Sequence, residues 1–188
     1  VWAMQAGFFV SRLLSAAYFP LITLFETLFF FSWVVVTLAL MLSIWFRQEI
    51  VVYLLGFLGF FLMICALLDD PGRLPIPGGW GEGSRLLLIH IVLGIACYAL
   101  LSISAIFSGL YLFLHARLKS KIWSAFLGRL PSLERMERYA FRTVLAGGVL
   151  MVVTLLLGFV WIMKENNPAL LLDPKTLTSI LLFGAYSL

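Results

Sequence analysis

Residues 84–121 read SRLLLIHIVLGIACYALLSISAIFSGLYLFLHARLKSK, and this stretch alone fixes the kind of solvent the chain folds in. From Leu86 to Leu114 it is almost unbrokenly apolar, flanked by Ser84 and Arg85 on one side and by Arg117, Lys119 and Lys121 on the other. At about 1.5 Å of rise per helical residue, roughly 29 such positions make a rod of about 43 Å, longer than the ~30 Å hydrocarbon core of a bilayer. The stretch reads as a membrane-spanning helix. His90 sits about a turn inside one end and His115 lies at the basic end. An ionisable group inside a span is costly to hold there and needs a partner or a purpose, which makes His90 the first candidate functional residue.

The whole chain has the same character. Of its 188 residues, 63% are hydrophobic and only 12% charged. A soluble domain of this length cannot hide so much apolar surface, so lipid is the expected solvent and membrane lipid the first partner. The net charge of +4 does not point to nucleic acid, because most of the cations fall in one interhelical loop. Cys65 and Cys97 lie inside apolar runs at different distances from the same membrane face, so no disulfide between them is expected. There is no CxxCH haem-attachment site, no charged leader region and no small-residue cleavage site. Both termini fall inside apolar segments, which predicts a piece of a longer protein.

The predicted architecture is all-α: a polytopic transmembrane bundle of five spans plus a partial sixth, with one amphipathic surface helix, forming a single domain over residues 1–188. Residues 1–14 read as the tail of a first helix ending near Arg12. Pro20 suits the first turn of a second, over 21–46, because it needs no hydrogen-bond donor there. Arg47, Gln48 and Glu49 make a polar turn before a third helix over 50–68, which Asp69-Asp70-Pro71-Gly72 stops. The connection 69–84 holds three prolines and five glycines and reads as a loop, with Trp80 suited to an interface. The long helix follows.

Over 120–141 the pattern changes. Leu133, Met136 and Ala140 recur at helical spacing, while Glu134, Arg135, Glu137 and Arg138 take the other faces. Pro131-Ser132 supplies the start, and the segment predicts an amphipathic helix lying on the membrane surface. A fifth span covers 143–163, with Gly147, Gly148 and Gly158 where a neighbouring helix can approach closely. Asp173 and Pro174 read as the cap and first residue of a sixth segment that runs to Leu188. Residues 115–142 carry seven Lys or Arg against two Glu, which predicts that this loop is cytoplasmic. His90, Glu26 and Asp173 then all lie within about two turns of the outer face.

Neutral imidazole is a common axial ligand of haem iron, and a structural hydrogen bond to a neighbouring helix is the plainer role open to His90. His90 and His115 are 25 residues apart on one helix, about 37 Å along its axis, so they cannot share an iron. His115, beside Arg117, reads as a solvated interfacial residue. Glu26 needs a partner, either Arg12 or Arg85, or holds a ligand residue in place from behind. The many Phe and Trp read as packing or lipid-facing residues. No nucleophile–base pair, phosphate loop or Cys/His metal cluster is present, so the chain carries no catalytic constellation. The spans also lack the charged midplane site and paired broken helices of secondary transporters.

Four segments, in order along nearly the whole chain, resemble the cytochrome c assembly proteins of the CcsA and HemX type. Tyr18-Phe19-Pro20-Leu21, Leu24-Phe25-Glu26-Thr27-Leu28 and Phe31-Ser32-Trp33 are similar to that family's Pro, Glu-Ser-Leu and Trp pattern. Ser84 to Ile91, followed by Tyr98-Ala99-Leu100, resembles the segment that carries its first external haem-ligating histidine, which would put His90 on that ligand. Leu133-Glu134-Arg135, Tyr139-Ala140-Phe141-Arg142 and Gly158 to Trp161 resemble the approach to its tryptophan-rich loop, and Asp173-Pro174-Lys175-Thr176 resembles that loop's end. The departures lie in the loop itself. Where the haem-binding members read WGxxWxWD, this chain has Asn166, Leu170 and Leu172 at the three tryptophan positions, and Leu86 replaces a tryptophan common in the histidine segment. The resemblance is therefore closer to the HemX-type branch.

The resemblance implies a protein that binds or passes haem b at the outer face of a bacterial cytoplasmic membrane, with the thylakoid as the alternative. His90 would ligate the iron, Glu26 and Asp173 would shape or charge the rim, and other membrane proteins of a cytochrome assembly or respiratory complex would be partners. The rival reading is a cofactor-free accessory subunit of a larger membrane complex.

Overall fold

The computed structural model describes residues 2–15, 21, 23–46, 49–68, 82–121 and 130–165, together with 178, 181, 184 and 185. Among these residues the structure is all helical: α1 (Trp2–Ser15), α2 (Leu24–Phe46), α3 (Glu49–Leu67), α4 (Glu82–Lys119) and α5 (Leu133–Glu165). Four of them, α2 to α5, are long and apolar enough to cross a membrane, and the chain is a multi-pass membrane protein. The 14 residues of α1 reach only about 21 Å, short of a ~30 Å core. Most of the expected sixth segment, Asp173 included, lies outside the described residues, as do Pro20 and residues 69–81 of the glycine-rich connection; residues 82–84, expected as loop, are instead the start of α4. Thr178, Leu181, Gly184 and Ala185 are helical.

The helix ends have local causes. Thr23 and Glu26 form a reciprocal capping box: Glu26 N–H donates to Thr23 Oγ1 (3.2 Å) and Thr23 N–H donates to Glu26 Oε2 (3.3 Å). At the far end of α4 the chain turns out of the helix at Lys121, whose φ of 54° is left-handed. The cationic last turn, Arg117 and Lys119, suits the negative end of the helix.

Of the expected surface helix over 120–141, residues 122–129 lie outside the described residues, and the part from Leu133 onward forms the first turns of one continuous helix. Ser132 O accepts from Met136 N–H (3.1 Å), and α5 runs unbroken to Glu165. The amphipathic pattern is nonetheless the one observed. Met136 is fully buried, with Leu133 and Ala140 packed beside it, while Glu134 and Arg138 pair on the exposed side. The reason for continuity is that Met136 joins the bundle's own core, so these turns have protein rather than lipid headgroups to pack on.

That core unites all four spans: Val35 and Ala39 of α2, Val51 and Leu55 of α3, Ala99, Ile103 and Phe107 of α4, and Met136 of α5. It lies toward the basic end. Nearer the opposite end the core divides into Phe25, Phe29 and Ala66, packed by Phe9 of α1, and a separate group of Cys97, Leu101 and Met151 between α4 and α5. Glu26 therefore belongs to one helix group and His90 to the other.

Candidate functional site

In lipid there is no hydrophobic force between helices, so close approach of backbones and interhelical hydrogen bonds decide which faces meet. The antiparallel α4–α5 seam uses both. His90, Cys97 and Ser104, each seven residues from the next, reach the carbonyls of Thr154, Gly147 and Ala140, which are spaced by seven in the opposite direction. The three distances are 2.9, 3.2 and 3.1 Å. A strict seven-residue recurrence is the register of left-handed, shallow-angle packing.

His90 is the outermost rung. A carbonyl oxygen can only accept, so the ring nitrogen facing Thr154 O carries the proton and Nδ1–H is the donor. In neutral imidazole the lone pair then resides on Nε2. The ring lies flat enough on α5 that a Cβ at Gly158 would stand 2.8 Å from its Cε1 and 3.2 Å from Nδ1. Thr154 Oγ1 turns back to Leu150 O (2.8 Å) and leaves its own carbonyl to the imidazole. The structural bond open to His90 in the sequence is present, and it engages only one of the two ring nitrogens.

Glu26 is only 4% exposed and does two structural jobs, capping α2 and lying 3.5 Å from Arg12 Nε on α1. Arg12 is thus the partner; Arg85 is not among the described side chains. The pair lines a crevice with a cavity volume of only about 10 Å³, together with Phe8, Phe9, Phe25 and Phe29. That is below the roughly 300–1,000 Å³ of clefts that enclose a small ligand. His115 is exposed and stacks on Tyr111. Among the described residues no group of three or more His, Cys, Asp or Glu side chains converges as a metal site. Cys65 and Cys97 are free thiols.

Sequence reasoning marked Gly147, Gly148 and Gly158 as one class of close-approach glycine, and the structure separates them. Gly147 lies under Leu101, Gly158 lies under His90, and Gly148 has open space. It gave no sign of the Thr154 carbonyl, since a backbone acceptor four residues from a glycine leaves no trace in residue type. Beside Gly147 and Gly158, the recurrence of His90, Cys97 and Ser104 at seven residues was a readable signal of the seam.

Comparison with known proteins bears on the same helices. The profile of the family described as Cytochrome C assembly protein matches residues 21–188. A protein named HemX from Brevibacillus brevis is 40% identical over 188 residues, covering 100% of this chain and 69% of the relative. The HemX protein of Bacillus subtilis (strain 168) is 28% identical over 187 residues, covering 100% of this chain and 68% of the relative. No solved structure matches.

Proposed function

This chain belongs to the cytochrome c assembly protein family, and from that membership we propose that it binds or passes haem at the outer face of a bacterial cytoplasmic membrane, with His90 as an axial ligand. The observation that carries the reading is the bond from His90 Nδ1–H to Thr154 O. Ligating histidines characteristically donate their second ring N–H to a carbonyl or carboxylate, which orients the ring and raises the basicity of the ligating nitrogen. The residues present fit haem to that extent: one oriented imidazole that would, in its neutral form, offer the Nε2 lone pair to iron. Haem, when bound, supplies an iron that accepts such axial nitrogens.

The remaining parts follow the same reading. Glu26 acts from the rim by holding α1 against α2 through Arg12, and Asp173, outside the described residues, adds a second rim carboxylate. The second axial ligand is not supplied by His115, about 37 Å away along the same helix, and on this reading comes from another membrane protein of a cytochrome assembly complex or from elsewhere in the protein. Absorption spectra of the detergent-purified protein, oxidised and reduced, test the proposal beside those of His90→Ala. A Soret band lost in the variant supports it. No haem in either protein, after haem has been supplied during expression, replaces it with a cofactor-free accessory subunit.

A further inference from the structure

We infer that Gly158 and Thr154 of α5 are positioning residues that set which nitrogen of His90 carries the lone pair and where it points. The inference rests on the reading of His90 as a ligand and concerns how that ligand is prepared. Two independent constraints act on one ring. The Thr154 carbonyl, 2.9 Å from Nδ1, accepts a hydrogen bond and so selects, in the neutral ring, the Nδ1–H tautomer with Nε2 unprotonated. An unconstrained neutral imidazole can place its proton on either nitrogen. Gly158 supplies the second constraint. A methyl at this position would sit 2.8 Å from Cε1, inside van der Waals contact, so the ring reaches the carbonyl only because the residue four positions beyond Thr154 has no side chain. A larger residue displaces the imidazole sideways, and the bond to Thr154 O and the tautomer go with it.

Gly158→Ala is a sharp probe because what its methyl would meet is a side-chain ring, which can swing away without moving α4 or α5 as bodies. Gly148→Ala is its control on the same helix, since no atom lies within 4 Å of a Cβ there. The chain holds two histidines, His90 and His115, so protein labelled with ¹⁵N-histidine gives two imidazole patterns, assigned with His90→Ala. In haem-free wild type and Gly148→Ala, His90 is expected as the neutral Nδ1–H tautomer with unprotonated Nε2; in Gly158→Ala it is expected as Nε2–H or a mixture. Haem affinity through His90, followed by the Soret band, is expected to fall about 10-fold or more in Gly158→Ala and to hold in Gly148→Ala.

A wild-type His90 that is Nε2–H without haem overturns the inference with no variant needed. So does a Gly158→Ala protein whose ¹⁵N pattern and Soret titration match wild type. Loss of the haem reading is a separate result: a Soret band that survives His90→Ala removes the ligand role of His90 while the tautomer measurement still stands.

Discussion

Arg12 Nε lies 3.5 Å from Glu26 Oε1, joining α1 to the first turn of α2 at a carboxylate that also caps that helix. The two roles are separable by substitution. Glu26→Gln keeps an N3 acceptor for Thr23 N–H and loses the ion pair; Glu26→Ala loses both. The alanine variant is expected to be less stable than the glutamine one by about 1 kcal/mol, the usual worth of a helix cap. Reversible unfolding in detergent, monitored by circular dichroism, measures the difference. Equal stability of the two variants would leave the capping role without consequence.

Gly147 and Gly148 are neighbours in sequence with opposite surroundings. A Cβ at Gly147 would stand 2.8 Å from Leu101 Cδ2 and 3.1 Å from Cγ, and Leu101 is itself buried against Met151. Gly147→Ala is therefore expected to cost about 1–3 kcal/mol by overpacking the α4–α5 seam. Gly148→Ala, with open space, should be neutral or slightly stabilising because alanine is the better helix former. Thermal midpoints of the two variants in one detergent check the contrast.

Ser32 Oγ donates to Gly59 O (2.7 Å) and accepts from Gln5 Nε2 (3.3 Å), so one hydroxyl ties α1, α2 and α3. Gly59 makes this possible, since a Cβ there would collide with Val36 Cγ2 at 2.8 Å. Interhelical hydrogen bonds in membranes are each worth about 0.6 kcal/mol. Ser32→Ala is expected to lower stability by roughly twice that, about 1 kcal/mol, and to raise the exchange of deuterium into α1 ahead of α4 and α5. Uniform exchange across all helices would contradict the local role.

Met136 and Arg138 test whether the start of α5 belongs to the bundle. Met136 is fully buried in the shared core, whereas Arg138 pairs with Glu134 on the exposed face. Met136→Ala is expected to destabilise by about 2–5 kcal/mol. Arg138→Ala should change stability by no more than about 0.5 kcal/mol, as exposed helix pairs do. Comparable small effects from both would restore a separate surface helix.

Much of this molecule is written in one dimension. The length of the apolar run around His90, the punctuation at Asp69-Asp70-Pro71-Gly72 and the amphipathic spacing of Leu133, Met136 and Ala140 all follow from rise per residue and from the cost of polar groups in lipid. The order of the four spans α2 to α5 needed nothing more, and the four resembling segments around Glu26, His90, Tyr139 and Asp173 pointed to the family that the whole-chain comparison then established.

The pairings needed the third dimension. That Arg12 meets Glu26, that α5 begins at Leu133 as part of the bundle, and that His90 rests on Gly158 rather than facing lipid depend on how helices rotate about their axes. Rotation is poorly specified in a span that is apolar on every face, because lipid and protein neighbours are equally acceptable to Leu, Val and Phe. What resolves it is a few small residues and single hydrogen bonds to backbone carbonyls, Gly147, Gly158 and Thr154 O among them, and a carbonyl is the same atom at every position of the chain.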